Sequence, residues 1–267
     1  MSAKNPFHGN PLAPNPDGQQ RPRQVESAQL FWVNMSVPFA SVAGEQKQGF
    51  SKVEDYDLFV RGAWSNLAQA RVRFVSEESG LNWATIPGLL LSQVGNSDKV
   101  QPIAYWHTPV LLRAKNQIRG DFVNDGGEAA GRVVLFTDVV GSAMQIGIRR
   151  SQIFSLTLDL GLDAAVALNS TSTSTIDEPL LIWGATTNAT NDLLVQLSDE
   201  RTNYAWSSEQ LPVGAFAGLI GEVQPRLYYR KPYFLPGRVK LRVSYNNAGM
   251  ETGKFITFFC ERLFEYQ

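Results

Sequence analysis

DLFVRGAWSN at Asp57–Asn66 returns as PLLIWGATTN at Pro179–Asn188, and this repetition decides the reading of the chain. The match continues on both sides. VSEE at Val75–Glu78 is answered by LSDE at Leu197–Glu200, NWA at Asn82–Ala84 by AWS at Ala205–Ser207, and VQP at Val100–Pro102 by VQP at Val223–Pro225. The spacing holds at 122 or 123 residues (57 to 179, 83 to 206, 101 to 224). Two copies of this length mark a duplicated domain rather than a solenoid, whose units are much shorter. Two tandem modules are expected, over residues 28–141 and 142–267, behind an N-terminal segment of residues 1–27.

Each module reads as β-structure. QLFWVNMSV at Gln29–Val37 and its counterpart QIFSLTLDL at Gln152–Leu160 alternate apolar and polar residues with period 2, the signature of a half-buried strand. Further strands are expected at Tyr56–Trp64, Ala70–Ser76, Pro102–Trp106, Pro109–Ala114, Gln117–Asn124 and Arg132–Val139. In the second copy they fall at Leu180–Gly184, Asp192–Leu197, Pro225–Tyr229, Pro232–Leu235, Arg238–Tyr245 and Lys254–Leu263. Asn124-Asp125-Gly126-Gly127 and Asn246-Asn247-Ala248-Gly249 supply residues that tolerate positive φ in a hairpin. The Gly-containing stretches Pro87–Gly95 and Pro212–Gly221 suit a short helix or a loop. Seven or eight short strands in about 120 residues, with no long 3.6-period segment between them, predict an all-β protein of two tandem antiparallel β-sandwich or jelly-roll-like domains. The closing strands RVVLF (Arg132–Phe136) and KFITFFC (Lys254–Cys260) are apolar at consecutive positions, so both faces need cover. One face suits the sister sheet; the other needs the second domain, the arm, a neighbouring subunit or thick loops.

The N-terminal segment is different material. Pro6, Pro11, Pro14, Pro16 and Pro22 alternate with Asn, Gly and Gln, and Phe7 and Leu12 are nearly its only large apolar residues. Such a stretch buries too little surface to offset its ordering entropy, so it is expected as an extended arm that orders against another chain or back on its own domain. Phe7, Pro11, Leu12, Pro14, Pro16, Arg21 and Arg23 are the candidate contacts, the two arginines toward an acidic partner.

Composition narrows the function. Of 267 residues, 43% are apolar and 18% charged, and 24 basic against 25 acidic side chains leave a net charge of −1. That balance argues against a nucleic-acid-coating surface or a polybasic membrane patch, and Arg71/Arg73 and Arg149-Arg150 are too few for strong phosphate binding. No apolar run is long enough to span a bilayer as a helix, and no signal-peptide pattern opens the chain. Cys260 is the single cysteine, which excludes a disulfide framework and reads as a small core side chain.

Catalytic motifs are missing: no HExxH, GxSxG, GxGxxG or Walker A spacing occurs. His8 lies in the arm, and His107 aligns with Arg230, which favours a polar loop position over a general base. Glu54-Asp55 with Asp57, Glu77-Glu78 and Asp199-Glu200 are the acidic clusters; the last two are counterparts and read as solvated turns, with calcium the alternative. Of six tryptophans, Trp83 and Trp206 are counterparts and suit packing. Trp32, Trp64 and Trp183 face Ser155, Thr186 and Arg61, so they suit copy-specific contacts or a sugar-stacking platform.

The tandem sandwich repeats, the Pro/Asn/Gly arm and PVLLRAKNQIRGDFVND at Pro109–Asp125 together resemble β-sandwich structural proteins of viruses, those of tailed-phage virions in particular. The resemblance implies a non-enzymatic virion subunit without cofactors: a capsid, decorating, neck or tail component. It would be made in a host cytoplasm and assembled as a homo-oligomer with other virion proteins, without reading nucleic-acid sequence or entering a membrane. A carbohydrate-binding, receptor-recognition module is the alternative.

Overall fold

The computed structural model describes residues 23–76, 89–91, 104–163, 167–220 and 227–266. It is all-β. The strands are β1 (Arg23–Ser27), β2 (Leu30–Ala40), β3 (Glu45–Phe50), β4 (Leu58–Ser65), β5 (Ala70–Ser76), β6 (Leu89–Leu90), β7 (Ala104–Leu112), β8 (Ile118–Asn124) and β9 (Ala129–Val139). They continue with β10 (Met144–Asp159), β11 (Leu168–Ser172), β12 (Leu180–Thr187), β13 (Leu193–Asp199), β14 (Leu211–Pro212), β15 (Gly218–Leu219), β16 (Leu227–Leu235), β17 (Leu241–Asn247) and β18 (Phe255–Tyr266). A 3-10 turn covers Val213–Ala215.

Four sheets form two sandwiches. In the first, β2-β9-β4-β7 packs on β3-β8-β5-β6 around Val33, Met35, Val60, Val72, Phe122 and Leu135. In the second, β10-β18-β12-β16 packs on β11-β17-β13-β14 around Leu156, Ile182, Val195, Val243, Ile256 and Phe258. The larger sheet of the second sandwich also carries β1 beside β10 and the short β15 parallel to β12; apart from these two, the orders are the same. Period-2 sequence produces them: β8 (IRGDFVN) and β13 (LLVQLSD) each bury every second residue. The Phe122 ring lies over the backbone of Gly120, where a Cβ would come within 2.5 Å of it.

The parallel between the sandwiches extends to irregularities. A register shift interrupts β4 between Val60 and Gly62, and another interrupts β12 between Ile182 and Gly184. Opposite each shift the partner strand skips several residues, from Val110 to Tyr105 and from Tyr233 to Tyr228. Pro109 and Pro232 lie in these spans, where proline's missing N–H is tolerated. Each pair of segments expected as separate strands at 102–114 and 225–235 is therefore one strand, β7 and β16. Gly184 lets β16 approach closely, since a Cβ there would lie 2.0 Å from the Leu227 carbonyl oxygen. After β8, the Asn124 side chain donates to Glu128 O (2.7 Å) and accepts from Glu128 N (2.8 Å); after β17, Asn247 does the same with Glu251 (both 2.8 Å).

Residues 23–27 are the described part of the expected arm. They form β1, antiparallel to Met144–Ile148 of β10, so this part of the leader joins a sheet of its own chain. β1 also meets the far strand of that sheet: Ala28 N donates to Pro232 O (3.2 Å), and Lys231 pairs with Glu26 at 2.5 Å. The sheet thereby curls round a small second core of Ile146, Ile148, Leu181 and Leu263, with Val25, Trp183 and Phe234 packed against it.

Candidate functional site

The outer face of the β2-β9-β4-β7 sheet is the most elaborated surface in the fold. Leu30 and Trp32 of β2, Trp64 of β4, and Val134 and Phe136 of β9 leave the first sandwich and join the core of the second. Trp32 lies parallel to Trp206 (centroids 5.8 Å, 5°) and contacts Phe216 at 5.0 Å, Tyr229 at 5.6 Å and Phe136 at 5.7 Å. Both β9 faces are thus covered, one by its own sandwich and one by the neighbouring sandwich.

Backbone bonds accompany the packing. β2 is an edge strand, and an unpaired edge invites another chain. Here Trp32 N donates to Trp206 O (2.7 Å) and Ser208 N donates to Trp32 O (3.1 Å), in a parallel bridge with Ser207. The Tyr204 hydroxyl donates to Leu30 O (3.0 Å), and Arg132 donates to Gln210 O (2.8 Å). Asn34 donates its side-chain amide to Glu209, and Lys52 pairs with Glu209 at 3.5 Å. Residues 204–210 of the second sandwich therefore dock against the edge strand of the first, through one parallel bridge and these side-chain bonds.

The matching register shifts in β4 and β12 aim different side chains. Arg61 turns to Asp138 in a largely buried ion pair. Burial pushes the Asp138 carboxyl up, against the opposing Arg61 charge and hydrogen bond. Trp183, the Arg61 counterpart, packs instead on the small core beneath β1.

A second surface lies on the outer face of β3-β8-β5-β6. Gln46, Lys47, Gln48, Arg73, Arg119, Asp121 and Val123 are among the residues lining a depression of about 370 Å³. Asp121 is its centre, accepting from Arg73 (2.6 Å) and Gln48 (3.1 Å) and lying 3.1 Å from Arg119. Burial alone would raise its carboxyl, but the bond from Arg73 and the Arg119 charge outweigh that and hold it below the usual range. Phe50, opposite the lining residue Arg119 in the ladder, is exposed.

The remaining expected positions fall as follows. Trp32 and Trp64 are 1% and 0% exposed, so neither forms an open platform. Trp183 is half-buried. Arg23 lies on β1 and pairs with Glu261 of its own chain. Phe7, Pro11, Leu12, Pro14, Pro16 and Arg21 lie outside the described residues, as do Glu77 and Glu78. His107 falls on β7. Asp199 is a buried cap rather than a solvated turn, accepting from Arg201 N (2.7 Å), Thr202 N (3.0 Å) and the Tyr233 hydroxyl (3.3 Å). Cys260 is buried, and burial pushes its thiol up to about 12. Among the described residues no group of three or more His, Cys, Asp or Glu is placed to hold a metal ion, and no helix is long and apolar enough to cross a membrane.

Sequence reasoning missed residues 204–210 as an edge-pairing segment and Asp121 as the centre of a polar face. Spacing signalled neither, because each depends on which strands become neighbours. No protein-family model matches the chain, and no curated protein matches it significantly.

Proposed function

We propose that this chain is a non-enzymatic building block of a virion, most naturally of a bacteriophage: a capsid, capsid-associated or neck–tail subunit. It would be made in the host cytoplasm and assembled with its own copies and other virion proteins. The observation that carries this reading is strand order. With β1 and the two-residue β15 left out, eight strands numbered within each sandwich run 1-8-3-6 on one sheet and 2-7-4-5 on the other, the order of a jelly roll, an architecture shared by viral capsid and lectin domains. Two such units in tandem, with equivalent register shifts and equivalent Asn–Glu loop bonds, favour descent of the halves from one ancestral module. Support also comes from the seam, where bonds of Trp206, Ser208, Tyr204, Arg132 and Lys52 tie the two sandwiches together as a structural element requires.

In this reading residues 1–22 reach a neighbouring subunit and gain main-chain hydrogen bonds on assembly. Removing residues 1–22, and sparing β1, is expected to abolish or weaken particle assembly while circular dichroism and thermal unfolding remain those of the full chain. Normal assembly by the truncated chain would refute the arm's role. Absence of the chain from purified particles of its native source would refute the virion reading itself.

The depression around Asp121 supports a second reading, carbohydrate recognition. Planar amide, guanidinium and carboxylate groups beside the exposed Phe50 ring suit sugar hydroxyls and a pyranose face. Glycan-array binding that is lost on Phe50→Ala would favour this reading over the first.

A further inference from the structure

The same surface is closed on one sandwich and open on the other. Pairing registers identify the counterparts without reference to sequence similarity. Leu30 pairs with Asp138 as Ile153 pairs with Glu261, and Trp32 pairs with Phe136 as Ser155 pairs with Phe259. Trp64 pairs with Val134 as Thr186 pairs with Thr257. On the first sandwich these positions lie under residues 204–210 and the second core. On the second sandwich, Ile153 is 89% exposed where Leu30 is 6% exposed. Tyr228, 40% exposed, lies 5.9 Å from the half-buried Phe259 ring on the same face, and Thr157, Thr257 and Thr186 continue the patch.

The strand edge repeats the contrast. β2 receives residues 204–210 along its edge. β10 is covered by β1 only over Met144–Ile148. From Ser151 to Asp159 it pairs with β18 on one side, and among the described residues no strand pairs with its other side. An exposed isoleucine beside an unpaired edge is the combination that soluble sheets ordinarily avoid.

We propose that the Gln152–Asp159 edge of β10, with the face carrying Ile153, Tyr228 and Phe259, is the docking surface for a second copy of this chain. The occupant is argued from the intramolecular contact: the counterpart surface is filled by a unit with the same strand order. In a second copy Trp206, Phe216 and Tyr229 are buried in its own seam, so the unit it offers is its first sandwich. Repeating that contact between molecules joins head to tail, a heterologous interface that closes into a ring or continues as a filament. The proposal rests on the reading of the chain as a self-associating subunit and names the surface it uses.

The test is sedimentation velocity on the full chain across a concentration series, comparing wild type with Ile153→Lys and with Ile153→Lys/Thr157→Lys. Both sites are exposed, so thermal unfolding should not change. Wild-type self-association weakened about tenfold or more by the single change, and further by the double, is the expected result. Concentration-dependent hydrogen-exchange protection of the Gln152–Asp159 amides in wild type provides a second measurement that needs no variant. Association of the double variant with wild-type strength, without that protection, would overturn this surface while leaving the subunit reading intact. A wild-type chain that stays monomeric, with these amides protected only by a different particle protein, would overturn the second copy as occupant. Absence from particles, by contrast, sinks the virion reading without touching a measured self-association.

Discussion

Replacing Trp32 with alanine tests how firmly the two sandwiches are joined. The indole is 1% exposed and touches four aromatic rings, three of them in the second sandwich. Its N–H has no hydrogen-bond partner among the described residues, so truncation removes packing and no side-chain hydrogen bond. Deleting a buried tryptophan side chain costs about 3–5 kcal/mol when the site cannot collapse. Collapse is hindered here because the Trp32 backbone is tied to Trp206 and Ser208. Each aromatic pair contributes about 0.5–1.5 kcal/mol beyond its area, which places the expected loss in the upper part of the range. Urea unfolding followed by far-ultraviolet circular dichroism is the assay. Wild type should unfold cooperatively; Trp32→Ala should lose about 3–5 kcal/mol and unfold in two steps as the sandwiches uncouple, with Trp32→Phe between them. A single transition within about 1 kcal/mol of wild type would refute the reasoning, because a stack worth so little could not bind two domains.

Two carboxyls, one buried and one half-buried, should respond to pH in opposite senses. Asp138 is raised in the fold, so its titration contributes stability at low pH that is lost as pH rises through the raised value; Asp138→Asn should therefore be most damaging relative to wild type under acidic conditions. Asp121 is lowered, so its contribution is present above the ordinary aspartate range and lost as pH falls through the folded value; Asp121→Asn should be most damaging near neutrality. Urea midpoints of both variants between acid and neutral pH check this, and parallel profiles would contradict it. Cys260, 3% exposed with its thiol pushed up to about 12, should resist an aromatic disulfide reagent at pH 8 and react once urea unfolds the chain. Rapid labelling of the native protein would show the β10-β18-β12 layer to be open.

Strands with one face in and one face out were legible in the sequence, because burial with period 2 leaves its mark on every second residue; Ala70–Ser76 matches β5 at both ends. β3 (EQKQGF) and β11 (LNSTS) were not, since their exposed or half-exposed polar side chains leave little alternation to detect. β1 (RQVES) was assigned to the arm because it carries one large apolar residue, Val25, and its place depends on a partner strand more than a hundred residues away. Trp32 and Trp64 stood out for lacking aromatic counterparts. The structure supplies the physical cause: one sheet buries its outer face in the seam, while the matching sheet leaves Ser155 and Thr186 outside it. The polar face around Asp121 was invisible in sequence, since Gln48, Arg73 and Asp121 converge from three strands only after β8 pairs on both sides.

The placement of β1 has a consequence for biosynthesis. Residues 23–27 leave the ribosome well before their partner, since β10 follows only after more than a hundred further residues. At typical elongation rates of about 5–20 residues per second, the segment waits several seconds or more, while the first sandwich emerges, before a strand it can pair with exists. Its attachment to β10 therefore follows the synthesis of β2–β9, and the contact between Glu26 and Lys231 follows later still.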